Sequence, residues 1–101
     1  MAIAEISIVP LGTKTPSVSQ YVARAVKVLE REKDMKYEIT PMGTIIEGDL
    51  DRILAVVKKM HEATFGEGVA RVLTAVKIDD RRDKAHSMKG KVESLKKRLQ
   101  G

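Results

Sequence analysis

At 101 residues the chain has room for one domain, and so short a domain buries only about two-thirds of its unfolded surface when it folds alone. Absence of cysteine excludes a disulfide framework, a thiolate metal site and a cysteine nucleophile. No apolar run approaches the ~20 residues of a membrane span, and the start, with Glu5 in it, lacks the basic opening and cleavage site of a signal peptide, so a cytoplasmic protein is expected.

Chain order reads as strand, helix, strand, strand, helix, strand and an added helix. Met1 to Val9 alternates, with Ala2, Ala4, Ile6 and Ile8 on one side and Ile3, Glu5, Ser7 and Val9 on the other, the period of a strand that Pro10 is expected to end. A helix should start near Thr15 or Ser17, with Pro16 at its first position or a capping box from Ser17 to Gln20. Its apolar stripe is Val18, Tyr21, Val22, Ala25, Val28 and Leu29. Tyr37 to Pro41 and Gly43 to Glu47 are short strands joined through Pro41-Met42-Gly43, a link so tight that the pair must be antiparallel. Gly48 is read as the break and Asp49 as the N-cap of a second helix carrying Leu50, Ile53, Leu54, Val57, Met60 and Thr64. Gly66 and Gly68 stop that helix, and Val69 to Asp79 is the fourth strand. The last helix, about 84–100, spaces Ala85, Met88, Val92, Leu95 and Leu99 by three and four, a narrow seam that the domain's own body or a neighbouring subunit must cover.

Two βαβ halves with right-handed crossovers define a single α+β domain over residues 1–101: a ferredoxin-like four-stranded antiparallel sheet with two helices on one face, plus the C-terminal helix. The sheet's second face is then bare and partly apolar, which points to a homo-oligomer.

Charge is unevenly placed. The net +5 comes from residues 77–101, where nine Lys and Arg outnumber four acids, while ten of each cancel over residues 1–76. A basic tail can hold phosphates without specificity. The same element order also hosts an RNA-binding module, but that module stacks bases on strand aromatics, and the first and fourth strands here have none. Catalysis lacks its parts: His61 and His86 fall in no metal-ligand spacing, the serines lie in no nucleophile elbow, and the glycines form no phosphate loop. What remains are three polar clusters at strand ends: Gly12 and Thr13 with Ser17 and Ser19; Thr40, Met42, Gly43 and Thr44 with Glu47; and Thr74 and Lys77 followed by Asp79, Asp80, Arg81 and Arg82. Hydroxyls and turn amides near helix starts suit a small ligand.

Taken together, Val9-Pro10-Leu11-Gly12-Thr13, Ser17-Val-Ser-Gln-Tyr-Val-Ala, Tyr37-Glu-Ile-Thr-Pro-Met-Gly-Thr-Ile-Ile-Glu-Gly and Arg71-Val-Leu-Thr-Ala-Val-Lys-Ile-Asp-Asp-Arg-Arg-Asp-Lys resemble the thiamine-binding protein family over nearly the whole chain. That resemblance implies a homotetramer of paired dimers and cytoplasmic binding of thiamine or its hydroxymethylpyrimidine moiety, as a ligand and not a catalytic cofactor. An aminopyrimidine wants paired donors and acceptors, and a thiazolium wants a carboxylate or aromatic face. On that chemistry Glu47 with Thr40 and Thr44 supplies acceptors, Ser17 or Ser19 pairs with ring nitrogens, and Met42 packs on a ring. Lys77 and Arg81 suit a phosphate ester unless Asp79, Asp80 and Asp83 pair with them. Two other readings compete: a structural or regulatory homo-oligomer without a ligand, and weak nucleic-acid binding through the basic end.

Overall fold

A computed structural model describes residues 1–14, 19–66, 68–84 and 87–100, with Ser19 through its backbone only. In chain order the elements are β1 (Ala2–Leu11), α1 (Ser19–Arg31), β2 (Lys36–Thr40), β3 (Gly43–Gly48), α2 (Leu50–Thr64), β4 (Arg71–Asp80) and α3 (Met88–Gln100). The strands form one sheet in the order β2-β3-β1-β4, and every neighbouring pair is antiparallel. This is the ferredoxin-like βαββαβ arrangement with an added helix.

Strand alternation sorts the sheet into two faces. Ala2, Ala4 and Ile6 of β1 and Ile46 of β3 point to one side and are buried against Ala25 and Leu29 of α1 and Ile53, Val56 and Met60 of α2. Ala2 and Ala4 are the small members of this layer, which lets both helices approach the sheet. The opposite face takes the odd residues of β1, with Glu5 opposite Ile45 on β3 and Lys77 on β4, and Ile45 opposite Glu38 on β2.

Several local expectations shift. Pro10 does not end β1: the strand runs to Leu11, with Pro10 buried opposite Val72. The pairing of β1 with β3 stops at Ile6, so on that side the strand beyond is an edge, where a missing N–H costs nothing. Gly48 likewise continues β3, opposite Ala2. Asp49 caps α2 through its backbone, its carbonyl accepting from Ile53 N–H at 2.9 Å, and its side chain makes no capping bond. The buried stripe of α2 is Ile53, Val56, Val57, Met60 and Thr64, and Leu54 faces outward at 46% exposure. The expected caps at Thr15, Pro16 and Ser17 lie outside the described residues, as do Ala85 and His86.

The last helix begins four residues later than the sequence implies. Ser87 sets its start, its Oγ accepting from Gly90 N–H at 3.0 Å, the N-cap geometry that serine favours. None of its residues is buried, and the seam residues Val92, Leu95 and Leu99 stand 51%, 58% and 76% exposed. The helix lies over the bare face of the sheet and is tied there by Lys91 Nζ to Asp79 Oδ2 at 2.5 Å. Among the described residues, no helix is long and apolar enough to cross a membrane.

Candidate functional site

The second polar cluster divides between the two faces of the sheet, because neighbours on a strand point opposite ways. A notch of about 210 Å³ opens on the helix side, between the β2–β3 turn and α1. It gathers Thr40, Met42, Gly43 and Thr44 with Ser7, and its walls are apolar, Val22, Val26, Ile39 and Met60 among them. Thr40 is occupied in shaping the turn: its Oγ1 donates to Gly43 O at 2.8 Å and accepts from Met42 N–H at 3.3 Å. Met42 is 81% exposed at the tip, while Thr44 is buried.

Glu47 falls on the other face. The residue is 5% exposed and, among the described residues, its carboxylate has neither a hydrogen-bond partner nor an ion-pair partner. Lys36 stands directly opposite on β2 and makes no ion pair with it. Glu47 lines a cavity of about 650 Å³ between β2, β3 and α3, walled by Tyr37, Glu38, Met88 and Val92 and rimmed by Lys89, Glu93 and Lys96. An adjoining cavity of about 470 Å³ shares Glu38, Met88 and Val92 and adds Ile3, Glu5, Ile45 and Lys77. A carboxylate on a cavity wall without a protein partner suits a group that brings positive charge or paired N–H donors.

The remaining expected positions do not join either cavity. Gly12, in the left-handed region at φ +78, and Thr13 follow the end of β1. Thr74 meets the Nδ1 of His61 at 2.6 Å, and His61 stands edge-to-face with Phe65 at 5.3 Å, which makes a clasp between α2 and β4. Arg81 is held by Asp83, Nε to Oδ1 at 2.6 Å and Nη2 to Oδ2 at 3.0 Å. That pairing lowers the Asp83 pKa to about 2, chiefly through the Arg81 hydrogen bond. With Arg82 on Asp80 and Lys91 on Asp79 as well, the wide charged groove after β4 offers an anion cations that are already paired. Ser17 and the side chain of Ser19 lie outside the described residues.

Sequence reasoning passed over Glu5, Tyr37, Glu38, Ile45 and Met88. The odd–even register that joins Glu5, Ile45 and Glu38 in one row was available. The overhanging helix was not, since nothing local ties Met88 and Val92 to β3.

Fold and cavity together define a ferredoxin-like small domain with a ligand-sized groove on its sheet. The family model described as thiamine-binding protein matches residues 4–96, and the chain belongs to that family. It is 52% identical to the UPF0045 protein YqgV of Bacillus subtilis over 103 aligned positions, covering 99% of both chains. Among solved structures, the hypothetical protein MJ1052 of Methanocaldococcus jannaschii superposes with a TM-score of 0.85 at 42% identity, over 94% of this chain and 95% of that one. A Thermotoga maritima protein assigned on trial to thiamine biosynthesis or salvage shares the fold, with a TM-score of 0.75 at 22% identity over 93% of this chain and 97% of its own.

Proposed function

We propose that this chain is a non-catalytic cytoplasmic binding protein for thiamine or its hydroxymethylpyrimidine moiety, with the ligand lying between α3 and the open face of the sheet. Glu47 carries the reading. Its buried, unpartnered carboxylate is the complement of an aminopyrimidine, whose exocyclic amine and protonated ring nitrogen donate side by side to two carboxylate oxygens. Met88, Val92, Ile3 and Ile45 supply apolar walls for the ring faces. The membership in a family of binding proteins supports the same reading.

A second reading places the pyrimidine in the notch at the β2–β3 turn, on the strength of Thr44, whose buried hydroxyl also has no partner among the described residues. Titration calorimetry with thiamine, the pyrimidine alcohol and thiamine diphosphate separates them. Saturable binding of the first two is expected, weakened by about tenfold or more in Glu47→Ala, the loss of one charge-assisted hydrogen-bonded pair, and unchanged in Thr44→Val. The reverse pattern moves the site to the notch. No heat from any of the three leaves the homo-oligomer without a ligand.

A further inference from the structure

The groove has a second charged station that the aminopyrimidine does not use. Glu38, Ile45, Glu5 and Lys77 form one row across the open face, β2 to β4, and all four line the 470 Å³ cavity beside α3. One strand, β3, separates Glu38 from Glu5, two strand spacings or about 9–10 Å at the backbone, with Ile45 as an apolar floor between them. Neither carboxylate has an ion-pair or hydrogen-bond partner among the described residues, and Lys77, although directly opposite Glu5, pairs with neither. Lys91, on the wall above, is neutralised by Asp79. Two carboxylates therefore flank the apolar floor, with one ammonium beyond Glu5 at the β4 end of the row. The station is continuous with the Glu47 cavity through Glu38, Met88 and Val92, so the buried carboxylate and this pair address one groove.

We propose that Glu5 and Glu38 select ligands carrying a delocalised positive charge beyond the group held by Glu47, and reject those whose far end is a phosphate ester. This rests on the cavity reading above and adds which chemical form is taken. A flat cation over Ile45, flanked by two carboxylates, keeps its faces on apolar surface and its charge between two opposite ones. A phosphate in that place meets two like charges, and of the lysines lining this cavity Lys91 is already held by Asp79, which leaves Lys77.

The test is calorimetry on the full chain with thiamine, which has the cationic ring, the pyrimidine alcohol, which lacks it, and thiamine diphosphate. Wild type is compared with Glu5→Gln and Glu38→Gln, both exposed positions at which an isosteric amide leaves the fold intact. In each variant thiamine should lose about two- to fivefold in affinity, the worth of one solvated ion pair. The pyrimidine alcohol should hold its affinity, and the diphosphate should gain. Equal loss for thiamine and the alcohol, or a wild type that prefers the diphosphate, overturns the selection while leaving Glu47 in its role. A wild type that binds none of the three overturns the cavity reading, and the selection with it.

Discussion

Position 43 is glycine because of a neighbour. A Cβ built there would sit 2.6 Å from the carbonyl oxygen of Ile6, a backbone atom that cannot turn aside. Gly43→Ala should therefore lower unfolding free energy by about 1–3 kcal/mol, read from urea denaturation, and loosen the turn that Thr40 pins from the other end. The polar residues around that turn were legible as a cluster, and their division was not. Thr44 and Glu47 are three apart, which on a strand sends them to opposite faces, so one notch and one groove replace the single site that adjacency suggests. The burial of Glu47 was hidden for a different reason. A glutamate on the uncovered face of a two-layer domain reads as solvated, and only α3, forty residues away, closes over it.

Among the elements, strand order and the two core helices were readable because period two and period 3.6 differ clearly in this chain. The misread ends have local causes: Pro10 sits on the part of β1 that β3 no longer flanks, and Gly48 still has Ala2 to pair with. On α2 the stripe was misread at Leu54, where Val56 is buried instead, since both fit an apolar pattern and only the direction of the sheet decides between them. Helices α2 and α3 should differ sharply under mutation. Ile53, fully buried between sheet and helix, should cost about 2–5 kcal/mol as Ile53→Ala. Leu95→Ala, at a position exposed within the chain, should cost within about 0.5 kcal/mol when urea melts are run at a concentration low enough to keep subunits apart. On the homo-oligomer proposal, in which a neighbour covers the seam, the same substitution should cost more at high concentration.

As a whole molecule, the single chain is too open for its mass. It exposes 7342 Å², against about 5,700 Å² for a compact monomer of its size. Its radius of gyration of 15.2 Å compares with about 12.7 Å for a globule of that length. The excess is near what two standard interfaces remove from one subunit, about 800 Å² each, and α3 and β4 contribute exposed apolar residues to it, Leu73, Ile78, Leu95 and Leu99 among them. We propose that the homotetramer of paired dimers implied by the family resemblance covers this excess. Light scattering on the eluting protein should return four times the 11.2 kDa chain, and the double variant Leu95→Glu, Leu99→Glu should elute as a smaller species with its strands and core helices intact by circular dichroism. A tetramer mass from that variant would place the contacts elsewhere.

The sparse aromatic content has an optical consequence. The chain has no tryptophan and two tyrosines. Tyr21 is sealed in the core, with the guanidinium of Arg24 at 5.7 Å from its ring centre, and Tyr37, opposite Ile46, packs against the core from the same side of the sheet. Both ultraviolet emitters thus sit on the helix side of the sheet, so their fluorescence follows the packing of the core, and a denaturation can be read from it without any label.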